Sequence, residues 1–479
     1  MGEHTAASRN VTQDAVLVVP GIMGSELRDT GTGEVLWGLS SASWVRRAWL
    51  RPGGLHGLRM TEEERAGRTG RVRATGLLRS SVWTPYLHGF EPYARLVEEI
   101  RDCVADPAAV RPFPYDWRLP TAVNGRLLAA AAREHLEAWR RHPAHDRARR
   151  ARADERPARL VFVAHSMGGL VARAALDPAH DAGLAGDTRA VLTLGTPFFG
   201  AAKAAAILNT GRGGPVPLPH RQLREVCAGM PGLHDLLPQY RCVRDGDDVR
   251  RLEPGDVAAL GGSAELAAAA EAAHRDRERV PLPGHRAVVG TTQPTVQNLT
   301  LRDGVVVTHH SGVRQHSDGR LLRDTRGRLR WFDLQGDGTV YKQSAAQGPA
   351  VIPLPFQHGA VARHPVARKA VAELLRDDDP LGPPQGAAGC GLDVPDLAVA
   401  GERLTVRIGE VDTLSGLDCR AVHLETGTVL PLRPGWRDGT LVATPVLGTP
   451  GLHRITAATP DGHTVSQLTL CVPAETPES

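Results

Sequence analysis

Lysine is scarce in this chain of 479 residues: of 57 basic side chains only Lys203, Lys342 and Lys369 are lysine, and the rest are arginine. With abundant alanine, glycine and proline, this reads as nucleotide-composition bias. The arginine-rich run at 147–152 (RARRAR) is therefore expected to be a solvated loop or helix end rather than a nucleic-acid contact. Net charge is only +4, so no nucleic-acid partner is implied. No run of about 18 apolar residues exists, so no membrane-spanning helix is expected. The first ten residues, MGEHTAASRN, lack the basic start and apolar stretch of a secretory signal. Ala6 stands where a myristoylation pattern wants Ser or Thr. A cytoplasmic location is the expectation. The six cysteines (Cys103, Cys227, Cys242, Cys390, Cys419 and Cys471) form no C-x-x-C pair, so neither a metal site nor a redox motif is read, and no cofactor is expected.

What is present is a serine in a telling place. Leu160–Val163 is an apolar run of the kind that forms a buried parallel strand, and a helical stretch from Leu170 to Leu176 follows at once. Between them lies Ala164-His165-Ser166-Met167-Gly168-Gly169. This is the pattern of a nucleophile elbow, a sharp strand-to-helix turn that exposes a serine oxygen at the top of a sheet. Small residues are needed there because the turn is strained and backbones approach closely. The usual first glycine is Ala164 here, still small enough for the turn. A helix-capping serine in a nucleotide-binding turn is the alternative, but it needs phosphate-cradling glycines that are missing at this point.

Strands alternating with helices predict a doubly wound, mostly parallel α/β sheet covered on both faces. The strands expected are Val16–Val19, Leu160–Val163, Val191–Leu194 and Ala287–Val289; helices are expected over 91–104, 125–140 and Val366–Leu375. In such sheets chemistry sits at the carboxyl ends of the strands. Two long excursions read as cap or lid insertions: residues 36–90, which hold Trp37, Trp44, Trp49 and Trp83, and residues 201–285, mostly helical. Those tryptophans read as core before membrane anchors. A catalytic domain over 1–378 and a Pro/Gly-rich linker over 379–389 are followed by short alternating strands over 390–474. Leu404–Ile408, Ala421–Leu424, Leu441–Thr444, His453–Ala457 and Val465–Leu470 suggest an immunoglobulin-like β-sandwich, without chemistry of its own and suited to a protein partner.

A serine nucleophile needs a base, and the base needs an acid to hold it. In α/β-hydrolases the chain order is Ser, acid, His. Asp337, in Gly336-Asp-Gly-Thr-Val340, fits the acid, although an exposed Asp-Gly hairpin turn reads equally well. His358 is preferred as the base over His364, which precedes Pro365 and looks like a helix-start residue. His309 and His310 break the order, and His165 reads as structural. The oxyanion donors are expected at the amides of Met167 and Ile22, the latter in the loop after the first strand.

Taken together, Val16–Leu27 (VLVVPGIMGSEL), Pro112–Leu119 (PFPYDWRL), Val163–Arg173 (VAHSMGGLVAR), Leu194–Gly200 (LGTPFFG), Leu236–Tyr240 (LLPQY), Gly336–Val340 (GDGTV) and His358 before a helix resemble the lecithin:cholesterol acyltransferase family. That family includes phospholipid:diacylglycerol acyltransferases and lysosomal phospholipase A2. The resemblance implies an α/β-hydrolase fold, a Ser166–Asp337–His358 triad, oxyanion donors Ile22 and Met167, and a substrate site at Gly21, Met23 and Trp117. Asp116 and Trp117 would brace the site. The implied reaction is acyl transfer from a lipid ester, through an acyl-enzyme, to an alcohol or water, with peripheral contact to a lipid surface. Secreted members carry a signal and a disulfide near the membrane-binding segment; here residues 28–102 hold no cysteine. The alternatives are an esterase or thioesterase for small soluble substrates, or a catalytically weak hydrolase fold acting as a scaffold.

Overall fold

The computed structural model describes residues 11–38, 53–79, 93–376 and 390–474 together with Trp44, Arg47 and Ala48, apart from positions 66, 153–154, 214–217, 317, 410, 412–413, 438–439 and 460–463. Its centre is a six-stranded sheet: β1 (Ala15–Val19), β2 (Val110–Pro112), β3 (Leu160–His165), β4 (Thr188–Leu194), β5 (Arg286–Thr291) and β6 (Ala350–Pro355). The spatial order is β2-β1-β3-β4-β5-β6, and every neighbouring pair is parallel. β1 and β3 are buried along their whole length, as unbroken apolar runs must be when helices cover both faces. The two outermost strands, β2 and β6, carry too little apolar pattern to be read from the sequence: Val110–Pro112 is three residues long, and Ala350–Pro355 contains two prolines.

Four helices frame the site: α1 (Ala94–Arg101), α2 (Thr121–Arg140), α3 (Met167–Ala175) and α4 (Pro365–Arg376). α2 and α3 pack closely, and Gly125 makes this fit, because a Cβ there would lie 2.5 Å from the Ala174 Cβ. α1 packs against α4. β1 has β2 on one side and β3 on the other, so the strand order reverses between β1 and β3, where such sheets open a crevice for ligands.

The first excursion contains a three-stranded antiparallel sheet of Ser25–Asp29, Val35–Trp37 and Val72–Leu77. Trp37 and Trp44 are buried and meet edge to face at 5.0 Å, as core residues. Trp49 and Trp83 lie outside the described residues. The second excursion is mostly helical among its described residues, as expected, with helices such as Ala202–Thr210 and Ala264–Glu278, but it also holds a hairpin that the sequence reading does not separate. Arg241–Asp245 and Asp248–Arg251 form a hairpin, which joins Asn298–Arg302 and Val305–His309 in a four-stranded sheet. The Asp245-Gly246 turn, with Gly246 at φ 57°, is the local sign of it; the hairpin is held because Cys242, Val243 and Val249 turn into the core.

Residues 390–474 fold into two facing sheets around their own apolar cluster, which includes Val406, Ile408, Leu441, Ile455 and Val465. One sheet orders Gly391–Asp393, Val406–Gly409, Thr440–Ala443 and Gly435–Arg437. The other orders Leu397–Val399, Thr464–Val472, Gly451–Ala458, Asp418–His423 and Val429–Pro431. The five expected strands are there. Four more, each of three residues, are too short to show an alternation of their own. The linker 379–389 lies outside the described residues. Among the described residues no helix is long and apolar enough to cross a membrane. All six cysteines are buried, and none is in a disulfide.

Candidate active site

Ser166 sits where β3 turns into α3. Its backbone is at φ 53°, ψ −127°, a strained conformation that costs on the order of 1–3 kcal/mol and persists only when the surroundings enforce it. Three features enforce it. Ser166 N–H donates to Leu194 O on β4 at 2.9 Å, and Gly169 N–H donates to Ser166 O at 3.0 Å. Gly168 and Gly169 let α3 approach the sheet: a Cβ would lie 2.4 Å from Pro20 O at the first and 2.1 Å from Thr196 Oγ1 at the second. Ala164, the off-pattern residue, is fully buried in β3, in register with Val19 and Thr193.

The acid and base loops meet this serine. His358 Nε2 lies 2.8 Å from Ser166 Oγ, and His358 Nδ1 lies 2.7 Å from Asp337 Oδ2. A carboxylate only accepts, so Nδ1 carries the proton and Nε2 is left to accept from the serine hydroxyl. Asp337 is 2% exposed. Its Oδ1 accepts from Thr339 N–H at 3.0 Å and Val340 N–H at 2.7 Å, and its backbone oxygen accepts from His358 N–H at 2.8 Å. The exposed Asp-Gly turn is thus replaced by a buried loop that grips the histidine at two points. Lys203, one of the three lysines, donates to Gly338 O at 3.1 Å. His364 is the helix-start residue, with its backbone oxygen accepting from Arg368 N–H.

Room for this pair is made by two glycines that no sequence motif singles out for the task. A Cβ on Gly195 (φ 60°) would lie 2.9 Å from Asp337 Oδ2, and one on Gly290 would lie 2.3 Å from the Asp337 Cβ. They stand at the ends of β4 and β5, so the strand ends themselves vacate the space. The Gly-Thr-Pro-Phe-Phe-Gly segment then ties the acid loop down. Phe198 N–H donates to Ser344 O at 2.9 Å, and Ser344 Oγ–H donates to Gly200 O at 2.6 Å. Gly200 in turn abuts Leu237 of the Leu-Leu-Pro-Gln-Tyr segment, whose Leu236 O accepts from Ala201 N–H.

On the other side, the loop after β1 borders the serine. A Cβ on Gly21 would lie 2.8 Å from the Ser166 Cβ and 3.3 Å from Oγ. Ile22 follows it, and Met167 opens α3 in the first turn, where backbone N–H groups have no partner within the helix. Gly21 N–H donates to Tyr93 Oη at 2.8 Å, Tyr93 Oη is 2.8 Å from His165 Nδ1, and His165 Nε2 is 3.1 Å from His358 O. Only a protonated Nε2 can bond that carbonyl, so Nδ1 accepts from the tyrosine hydroxyl. The direction is continuous from the β1 loop to the base. Burial, with the nearby His358, pushes the His165 pKa down to about 3 and keeps the ring neutral. His165 is structural as expected. Tyr93, the residue just before α1 and in sequence only an apolar position of the helix expected over 91–104, is the member that sequence reasoning misses; nothing in its local pattern marks its hydroxyl.

The Tyr-Asp-Trp-Arg segment holds the β1 loop from outside. Tyr115 Oη–H donates to Pro20 O at 2.9 Å, and Trp117 Nε1–H donates to Ser25 O at 3.2 Å. Trp117 is 2% exposed and packs on Trp37 at 5.8 Å, so its indole is committed to bracing. Met23 is half-buried at φ 61°, with its backbone oxygen accepting from Trp37 Nε1–H at 2.8 Å. Arg118 is fully buried between Asp116 Oδ2 and Glu64 Oε1, at 2.7 Å from each. Burial opposes its charge, and the two carboxylates more than offset this, raising its pKa. Among the described residues no cluster of histidine, cysteine and carboxylate side chains could hold a metal ion.

The family model of lecithin:cholesterol acyltransferase matches residues 63–253. The resemblance carried by the motifs therefore holds over the stretch that contains the elbow, and it supports a lipid acyltransferase or acylhydrolase. No curated protein matches the chain in sequence. Among solved structures, a chain of the Tle4–Tli4 complex is 15% identical, with a TM-score of 0.48, covering 76% of this chain and 98% of that one. The mature form of the Bacillus licheniformis lipase BlEst2 is 13% identical, with a TM-score of 0.32, covering 78% of this chain and 95% of that one. Its propeptide form is 11% identical, with a TM-score of 0.33, covering 97% and 94%.

Proposed function

We propose that this chain is a serine-dependent acyltransferase or acylhydrolase acting on lipid esters, with Ser166 as nucleophile, His358 as general base and acid, and Asp337 as the group that orients His358. The observation that carries the reading is the continuous Ser166–His358–Asp337 hydrogen-bond line, at 2.8 and 2.7 Å. Ser166 Oγ attacks the acyl carbon while His358 Nε2 takes its proton. The tetrahedral oxyanion is received by the amides of Met167 and Ile22, one at a helix N-terminus and one in the loop beside Gly21. Collapse of this intermediate breaks the ester bond. His358 returns the proton to the departing alcohol oxygen, leaving an acyl-enzyme. A water or an alcohol then attacks the acyl carbon, with His358 again accepting and returning the proton, and Ser166 is restored. The substrate class is supported by the family match and the ordered motifs; Ser166 is 4% exposed, in keeping with a site that excludes bulk water.

Incubation with radiolabelled phospholipid vesicles, with and without a sterol or diacylglycerol, tests this directly. Expected are release of free fatty acid or appearance of the acylated alcohol, and loss of both by about 10⁴-fold or more in Ser166→Ala. A Ser166→Ala protein with full activity would overturn the assignment.

A further inference from the structure

The two facing sheets of 390–474 touch the candidate site at two glutamines. Gln293 follows β5 and is 1% exposed. Its backbone N–H donates to Gly336 O at 3.1 Å, and it bridges both Gly336 and Asp337. Its side chain reaches the opposite way: Nε2–H donates to Cys390 O at 2.8 Å, and Oε1 accepts from Leu392 N–H at 3.1 Å. The amide therefore pairs like a strand residue with the Gly391–Asp393 strand. The approach is close, since a Cβ on Gly391 would lie 2.4 Å from Thr292 O. Gln357 is the residue immediately before His358. Its Oε1 accepts from Ser466 N–H at 3.1 Å, on the Thr464–Val472 strand. Leu452 and Leu468 of the same sheet pack against the apolar core of the catalytic part.

We infer that Gln293 and Gln357 are positioning residues through which the C-terminal β-domain holds the acid loop and the base loop in register with Ser166. Each loop lies beyond the end of a strand, where buried side chains such as Val340 and Phe356 anchor it and hydrogen bonds set its register. One glutamine stands at the root of each, and each is tied to a different sheet of the β-domain. A domain serving only as a module for outside partners has no need of a buried two-point contact with Gln293, the residue whose backbone pairs with the acid loop. The inference rests on the triad reading above.

The test uses the full-length chain and the rate at which a fluorophosphonate probe modifies Ser166, measured from pH 5 to 9. Gln293→Ala and Gln357→Ala should each slow labelling roughly tenfold at a melting temperature that still marks a folded protein, with a displaced pH profile, because small displacements of the base cost rate steeply. Gln357→Glu keeps an oxygen that accepts from Ser466 N–H and should restore the parent rate. Should Gln293→Ala fail to fold, the Gln357→Ala and Gln357→Glu pair decides the matter. Parental rates and pH profiles in both alanine variants, with Ser166 labelled normally in the parent, would overturn this inference alone. A parent protein that is folded yet unlabelled would instead remove the triad reading on which it stands.

Discussion

The serine half of the site and the acid–base half are held by different means. Ser166 belongs to the central sheet: it ends β3, starts α3, and takes its strained conformation from Leu194 and from two glycines pressed against Pro20 and Thr196. Asp337 and His358 belong to no strand of that sheet. They are gripped by the amides of Thr339 and Val340 within the acid loop and by residues far away in the chain: Lys203, Gln293 and, through His165, Tyr93. A nucleophile built into the core is as stable as the core. A base built on loops can be lost while the core stands. This contrast is the ordinary division between a rigid scaffold and functional loops, here drawn through the middle of one hydrogen-bonded line.

The sharpest break would be on the serine side. Gly168→Ala places a Cβ 2.4 Å from Pro20 O and 2.5 Å from Val19 O, both backbone atoms that cannot step aside. Destabilisation of about 3 kcal/mol or more is expected, read as a large drop in the urea midpoint; an unchanged midpoint would show that the elbow is not clamped. On the acid–base side the same kind of change should act differently. Gly290→Ala pushes a Cβ to 2.3 Å from the Asp337 Cβ, and the loop can yield. Turnover should fall about 100-fold, with a much smaller loss of stability than in Gly168→Ala. If stability falls equally in both variants, the contrast between the halves disappears.

The most gradual effect concerns the residue that joins them. His165 has a folded pKa of about 3, against an ordinary value of 6.5, because burial disfavours its charged form. The unfolded chain therefore binds the proton first as pH falls. Stability is unaffected well above pH 6.5, declines as pH drops below that value, and goes on declining toward pH 3, at about 1.4 kcal/mol per pH unit for this group. His285, lowered to about 4 by burial, adds to the same slope. Urea unfolding from pH 8 to 4 reads this. A midpoint that does not move between pH 6.5 and 4 would show that His165 is not buried as a neutral link.

Legibility follows the same division. The elbow can be read because its strand, turn and helix are consecutive, so that a local pattern of apolar and small residues is enough to specify it. Asp337 stays balanced in sequence against an exposed turn, since five residues cannot say whether Gly290 and Gly195 open a space around it. Chain order sets aside His309 and His310, and the helix start at Pro365 sets aside His364, but the 2.8 Å contact of His358 to Ser166 is a tertiary fact. Tyr93 cannot be found at all, because an apolar periodicity counts its ring and ignores its hydroxyl. The hairpin at Arg241–Arg251 is absorbed into a helical excursion because short strands depend on partners far away, here Asn298–Arg302.

By itself the sequence determined the parallel α/β scaffold, the serine at its centre, the order in which acid and base follow, and the separate strand-rich end of the chain. Each is carried by periodicity, turn chemistry or order along the chain. Tertiary structure alone decided which glycines make room, which hydroxyl joins the β1 loop to the base, and where the β-domain touches. Those depend on distances between residues that are remote in sequence, and no local pattern encodes a distance.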